Sequence, residues 1–165
     1  MIEVRREDLT ASAFEAVVRP VRSNGEAVTQ LGRRLEIAAG PEIAERLREL
    51  GDLPVGGAVI TPGGGLPASF VIHIVIQSPD EPVTSAGVRR GLVNALRRAA
   101  EFGIGAVAFP LVGVGPGNLD IEDAARILNE VLVEHHEGGE NPRDLLIVVD
   151  SDYEEEVFGR LVSGR

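Results

Sequence analysis

The sequence has no cysteine and no tryptophan, and it has a single tyrosine among 165 residues. Without cysteine, a disulfide framework, a thiol nucleophile and a zinc–thiolate site are excluded. The shortage of aromatic side chains argues against an aromatic platform for stacking bases. No apolar run approaches the roughly 18 residues of a membrane span, and the charged start MIEVRREDLT lacks a signal-peptide core. We therefore expect a cytoplasmic protein that does not engage a membrane.

Basic residues are also few relative to acidic ones. The chain has 16 Lys and Arg against 26 Asp and Glu, a formal net charge of −10. General nucleic-acid binding draws its affinity mainly from basic contacts with phosphates, so this balance argues against it. A local site for a small anion remains compatible with the sequence. The length and the ordinary apolar fraction of 44% predict one domain spanning residues 1–165.

Strand-like and helix-like segments alternate along the chain. Continuous apolar runs at Ala106–Leu111 and Leu145–Val149 are typical of strands covered on both faces. Other predicted strands are Ile2–Arg5, Phe14–Val18, Ala58–Thr61 and Phe70–Ile76, the last two joined by a turn, PGGGLPAS. Helical spacing of apolar residues predicts helices at Val28–Ala39, Pro41–Leu50, Ala86–Phe102, Ile121–Val133 and Tyr153–Val162. This alternation predicts a layered α/β fold with a mostly parallel sheet.

The stretch FPLVGVGPGNLD, from Phe109 to Asp120, follows a predicted buried strand and precedes a predicted helix. Glycines allow the backbone to approach a ligand, and a helix N-terminus attracts anions. The spacing matches neither the P-loop nor the dinucleotide-binding fingerprint. An acidic N-cap at Asp120 would compete with a bound anion. An anion site and a plain structural turn therefore both remain open, although ligands in such folds bind beyond the carboxyl ends of strands.

Several segments, in their order and spacing, resemble the macrodomain family over nearly the whole chain. They are Glu7–Thr10, Phe14–Val18, Ala38–Gly40, the segment from Val59 to His73, and Ala108–Pro110 with the glycine loop behind it. The resemblance implies a three-layer α/β/α fold with a mixed, mostly parallel sheet. It also implies binding of ADP-ribose or a related nucleotide, and some family members hydrolyse ADP-ribosyl groups or acetyl esters.

The resemblance also assigns candidate ligand-binding residues. Asp8 falls on the aspartate that takes the adenine amino group, and Leu9 falls on its neighbour, whose backbone assists. The diphosphate-binding loop falls on Gly113, Val114, Gly115, Pro116, Gly117 and Asn118. Val149 falls where an aromatic often stacks on the adenine. No cofactor or metal is implied.

The chain departs from the family pattern in the other half of the expected pocket. Arg19 and Arg22 stand where the family has two asparagines, and Ala27–Gln30 stands where it has glycines. The second asparagine orients the distal ribose and its water in hydrolytic members, so binding is expected rather than hydrolysis. Guanidinium groups fit phosphate well, which makes both arginines candidate ligand-binding residues. Salt bridges to the acidic surface are the alternative.

Other polar residues have simpler interpretations. His73 lies in a predicted buried strand and reads as a structural histidine. Adjacent His135 and His136 do not share the helix face that zinc binding uses. Asp150 and Asp152 flank Ser151 after a strand, where paired carboxylates serve acid–base chemistry or, more commonly, turns and helix starts.

The sequence thus predicts a divergent macrodomain that binds a small nucleotide or another phosphorylated ligand. Two alternatives stay open. One is a structural or oligomerisation module that has lost its ligand, and the other is an ADP-ribosyl or ester hydrolase with altered catalytic residues. No catalytic residue is assigned, and homo-oligomerisation remains open. The shape of the pocket separates the first alternative from ligand binding, since the arginines and Gln30 either leave a cleft or fill it.

Overall fold

A computed structural model describes residues 1–115 and 117–163. The strands are β1 (Ile2–Arg6), β2 (Ala16–Arg22), β3 (Ala58–Pro62), β4 (Phe70–Gln77), β5 (Ala106–Phe109) and β6 (Asp144–Val149). The helices are α1 (Gln30–Ala39), α2 (Pro41–Glu49), α3 (Ser85–Glu101), α4 (Ile121–Glu137) and α5 (Asp152–Ser163), with a short 3₁₀ turn at Leu9–Ala11. Among these described helices, none combines the length and the apolar character needed to cross a membrane.

The strands form one mixed sheet in the order β1-β6-β5-β2-β4-β3. All neighbouring pairs are parallel except β3 with β4. The antiparallel pair is the predicted hairpin joined by PGGGLPAS. The predicted mixed, mostly parallel sheet is confirmed.

Helices cover both faces of the sheet. The larger apolar cluster joins one face to α3, α4 and α5, through residues such as Leu92, Leu128 and Phe158. The smaller cluster joins the other face to α1, α2 and the 3₁₀ turn, through Leu35 and Leu9. Because side chains alternate along a strand, β5 and β6 contribute to both clusters, and their sequences therefore read as continuous apolar runs. The three-layer α/β/α arrangement predicted from the family resemblance is confirmed.

Strand β2 begins later and runs further than the sequence predicted. It spans Ala16–Arg22 instead of Phe14–Val18, and it continues through Pro20. Pairing with β5 stops at Val17, so the missing N–H of Pro20 removes no bond from that side. On the same side, the Pro20 carbonyl accepts a hydrogen bond from Val28 N, in the loop before α1, at 3.5 Å. As a consequence Arg19 and Arg22 lie on a central strand and not in a loop.

A buried polar chain crosses strands β2, β4 and β3 beneath α1. Arg19 Nη1 lies 3.2 Å from His73 Nδ1, and His73 Nε2 lies 2.9 Å from Thr61 Oγ1. Arginine only donates hydrogen bonds, so Nδ1 accepts the bond from Arg19. The Thr61 hydroxyl donates to the Pro62 carbonyl at 3.1 Å, which leaves its oxygen to accept from His73 Nε2–H. His73 is fully buried, and the chain requires its neutral form.

Stability should fall in acid because of this histidine. Burial lowers the pKa of His73 to about 3, and the Arg19 charge acts in the same direction. Between about pH 6.5 and pH 3, the unfolded chain therefore binds a proton that the folded chain excludes. The free energy of unfolding should decrease through this window by at most about 1.4 kcal/mol per pH unit from His73. Urea unfolding of wild type and His73→Gln should show a difference that shrinks as pH falls, whereas parallel curves would contradict the assignment.

Candidate ligand-binding site

A cavity of about 460 Å³ lies at the carboxyl ends of β1, β6 and β5, on the side covered by α1. This position is the one at which α/β sheets bind ligands. The volume falls within the range of roughly 300–1,000 Å³ that is usual for small-molecule pockets. The cavity is lined by Arg6, Glu7, Asp8, Leu9, Thr29, Gln30, Leu31, Arg34, Pro110, Leu111, Val114, Val148, Asp150 and Glu154. An open cleft is therefore present, and Gln30 lines it without filling it.

Asp8 stands at the entrance to the 3₁₀ turn and is exposed at the cavity. Its Oδ1 accepts two bonds from Thr10, one from the backbone N at 3.0 Å and one from the hydroxyl at 2.7 Å. These bonds lower the pKa of Asp8, with a smaller contribution from the Arg34 charge. Asp8 is therefore ionised at neutral pH, and the lone pairs of Oδ2 remain for another donor. Leu9 beside it is buried, which anchors the turn in the smaller apolar cluster.

The glycine loop has a backbone that requires its glycines. Gly113, Gly115 and Gly117 have φ angles of 99°, 137° and 78°, in the region that L side chains rarely adopt. A Cβ at Gly113 would also lie 2.8 Å from Val88 Cγ2. Backbone geometry alone therefore accounts for these glycines, whether or not the loop binds an anion.

Bonds within the loop hold it against the start of α4. Leu119 N donates to the Gly113 carbonyl and Asn118 N donates to the Gly115 carbonyl, both at 3.0 Å. Of the described loop residues, Val114 lines the cavity. Pro116, a predicted site residue, lies outside the described residues.

Asp120 occupies the N-terminus of α4 itself. Its Oδ1 accepts a bond from Asp123 N at 2.8 Å, and Glu122 and Asp123 add further negative charge to the first turn. A carboxylate that caps its own helix satisfies the N–H groups that an anion would use. The α4 terminus is therefore a poor anion site, and any phosphate binding would depend on the loop before it.

The structure does not bring Arg19 to the cavity. Arg19 is 2% exposed and is held beneath α1 by protein groups. Its Nε donates to the Gly32 carbonyl at 2.9 Å, and Nη1 donates to the Gly25 carbonyl at 3.3 Å. Nη2 forms an ion pair with Glu36 at 3.5 Å. Burial of this kind leaves no surface for a ligand and makes Arg19 a link between β2, α1 and the preceding loop.

Arg22 lies beside a different cavity. Its Nη1 donates to the Ala27 carbonyl at 2.7 Å. The second cavity, of about 440 Å³, lies at the carboxyl ends of β2 and β4. It is lined by Arg22, Ser23, Asn24, Asp52, Gln77, Ser78 and Pro79. The sequence placed both arginines at one ligand site with Asp8. In the structure Arg19 is buried and Arg22 lines the second cavity, so neither shares the first cavity with Asp8.

Two acidic residues at the first cavity form a pair that the sequence did not identify. Asp150, after β6, and Glu154, in the first turn of α5, both line the cavity, and their carboxyl groups lie close enough to share a proton. Burial, then this contact and the Asp150 charge, raises the pKa of Glu154 to about 7. Asp152, which the sequence paired with Asp150, instead bonds Arg6. The four-residue spacing from Asp150 to Glu154 across a helix start was the available signal.

Arg34 and Val148 were also missed by sequence reasoning. Arg34 is one of two exposed arginines on α1, and only the three-dimensional position separates it from Arg33. Val148 lines the cavity, whereas Val149, the residue matched to the aromatic position, points into the larger apolar cluster. A one-residue change in strand register moves a side chain to the opposite face, which accounts for this difference.

Metal ligation finds no support in the part of the chain that the structure describes. Within residues 1–115 and 117–163, no group of three or more His, Asp or Glu side chains is arranged to hold a metal ion. His135 Nε2 donates to the Pro142 carbonyl at 2.9 Å, which fixes the end of α4.

Comparison with known proteins identifies the family. Residues 18–128 match the model of the Macro domain family. An uncharacterised protein of Aeropyrum pernix is 42% identical over 76% of this chain and 67% of its own length. An O-acetyl-ADP-ribose deacetylase of Escherichia fergusonii is 27% identical over 98% of this chain and 95% of its own. The chain therefore belongs to the Macro domain family.

Other matches differ in how much of the relative they cover. The chain spans 44% of the length of an uncharacterised Mycobacterium tuberculosis protein, with which it is 25% identical. Among solved structures, a variant of the Oceanobacillus iheyensis macrodomain with ADPR superposes with a TM-score of 0.88 at 20% identity, over 99% of this chain and 92% of that one. This structural match establishes a common fold.

Loss of the Arg19 side chain should destabilise the protein. Arg19→Met leaves the carbonyls of Gly32 and Gly25 and the His73 ring without their buried donor. We expect the free energy of unfolding to fall by about 2–4 kcal/mol, measured by urea unfolding at pH 7. Arg33→Met, on the exposed face of α1, is the matched control and should change stability by less than about 0.5 kcal/mol. Equal stabilities for the two variants would show that the buried network is dispensable.

Proposed function

We propose that the cavity binds ADP-ribose or a closely related nucleotide, without rapid hydrolysis. The observation that carries the proposal is one open cleft that brings together Asp8, Leu9 and Val114 of the glycine loop. These residues come from distant parts of the chain, and the family resemblance assigned them to the base and to the diphosphate of one ligand. A filled cleft would have favoured the alternative of a purely structural module.

The proposed roles follow from the chemistry of each group. Asp8, ionised and with Oδ2 available, accepts a bond from the base amino group, and the Leu9 backbone lies beside it. The backbone of residues 113–118 holds the diphosphate, since its glycines permit close approach. Arg34 supplies a guanidinium at the cavity, where it offsets part of the charge on the phosphates. Arg19 serves structure, and Arg22 serves the second cavity.

The relatives support this ligand class. The superposed Oceanobacillus iheyensis variant was solved with ADPR, and the Escherichia fergusonii relative is named for an ADP-ribose ester. That second name also supports the alternative that the protein is a hydrolase. Binding without turnover is favoured because buried Arg19 and distant Arg22 replace the two asparagines of the family pattern, so neither orients a water over a distal ribose in the cavity.

Titration calorimetry of the wild type with ADP-ribose tests the proposal, with ADP and inorganic phosphate as comparisons. Asp8→Ala should weaken ADP-ribose binding about tenfold, as expected for loss of a bond to a charged acceptor. Asp80→Ala is the matched control, because it removes an exposed carboxylate that does not line the cavity. No heat from the folded wild type with any of the three ligands would reject the proposal.

A second pair of variants tests the cation at the cavity. Arg34→Ala should weaken ADP-ribose binding about three- to tenfold, since an anion loses a partly exposed guanidinium. Arg33→Ala removes the same charge from the neighbouring position, which does not line the cavity, and should leave affinity within about twofold. Arg22→Ala should behave like Arg33→Ala. A large loss with Arg22→Ala alone would restore Arg22 as a ligand-binding residue.

A further inference from the structure

The cavity contains more acidic than basic groups. Four of its lining residues are Asp or Glu, namely Glu7, Asp8, Asp150 and Glu154, and two are arginines, Arg6 and Arg34. Arg6 is already paired with Asp152. A ligand that carries phosphate would therefore enter a site of net negative charge if every carboxyl group were ionised. Repulsion of this kind opposes binding, so the protonation state of the lining groups bears directly on affinity.

The geometry of Asp150 and Glu154 allows one negative charge to be removed. The turn between β6 and α5 places the two carboxyl groups together, and Ser151 Oγ accepts a bond from Glu154 N at 3.2 Å. A hydrogen bond between two carboxyl groups requires one proton, because two carboxylates have no donor. Asp150 is exposed and Glu154 is partly buried. The proton therefore belongs on Glu154, the less hydrated partner.

We propose that the Asp150–Glu154 pair takes up a proton when a phosphate-bearing ligand enters the cavity, so that Glu154 sets the affinity of this site for anions. The inference rests on the proposed function, since it concerns the ligand of the same cavity. An anion nearby favours the protonated form of Glu154, and by reciprocity the protonated form favours the anion. The pair is thus an affinity-determining element of the pocket and not a separate site.

The direction of the pH dependence follows from the folded-state titration. The pKa of Glu154 lies at about 7 in the free protein. Below this value the proton is already bound, and affinity should change little with pH. Above it, binding must draw a proton from solvent, and affinity should fall by at most about tenfold per pH unit.

Other charged groups around Glu154 do not reproduce this behaviour. Arginines keep their charge throughout the range, and the described residues that line the cavity include no histidine. The other charged residues that line the cavity are Arg6, Glu7, Asp8, Arg34 and Asp150. Next to them, Asp152 is paired with Arg6, and the Tyr153 hydroxyl donates to Glu122.

ADP-ribose is a suitable probe because its diphosphate is a diester, which keeps a constant charge near neutral pH. Calorimetric titrations at several values from about pH 6 to about pH 8.5 should show wild-type affinity falling about tenfold above pH 7. Glu154→Gln fixes a neutral group of similar shape. Its affinity should be nearly constant with pH, and at the alkaline end it should bind about tenfold more tightly than wild type. A merely structural role for Glu154 predicts no such gain.

Glu155→Gln is the matched control, because it removes one charge from the next residue of α5, which does not line the cavity. It should retain the wild-type pH dependence. Titrations of the wild type in two buffers of different ionisation enthalpy measure proton uptake without any substitution, and an uptake approaching one proton above pH 7 is expected. Binding of ADP-ribose with no pH dependence and no uptake would overturn the coupling and leave the proposed function intact. Absence of binding at every pH would overturn both.

Discussion

The hydrogen bonds of the buried Arg19 guanidinium hold together the side of the molecule on which α1 borders the first cavity. They join the central strand β2 to the carbonyls of Gly32 and Gly25 and to the ring of His73. A charge buried to this degree is costly unless its donors are satisfied. The surrounding chain supplies three hydrogen-bond acceptors to Nε and Nη1. Nη2 is paired with the Glu36 carboxylate and has no hydrogen-bond partner among the described residues. This constraint determines where α1 and the loop before it can lie.

The position of the cavity follows from that constraint. Thr29, Gln30 and Leu31, at the start of α1, form one of its walls, and Thr29 caps the helix by accepting a bond from Gly32 N at 3.0 Å. The same glycine thus receives Arg19 at its carbonyl and Thr29 at its N–H. In the family pattern this region is a glycine-rich loop. Here residues at the start of α1 take its place, and the bond from Arg19 Nε to the Gly32 carbonyl joins this helix to β2.

Much of the fold could be predicted because its signals are local. Apolar spacing located the five helices, and unbroken apolar runs located β5 and β6 as strands covered on both faces. The end of β2 could not be predicted in this way, since Pro20 and two arginines resemble a loop until their tertiary partners are known. The lining roles of Arg34, Val148 and Glu154 depend on strand register and on helix placement, which a single sequence leaves undetermined. Asp8 and Leu9 were accessible only through the family resemblance.

Backbone amide chemical-shift mapping with ADP-ribose would show both whether the ligand binds and which cavity it occupies. We expect saturable shifts at Asp8, Leu9, the non-proline residues of the 113–118 loop and the start of α1. The amides around Gln77 and Asp52, at the second cavity, should remain unchanged. Shifts centred on the second cavity, or no shifts at saturating ligand, would contradict the assignment of the nucleotide site.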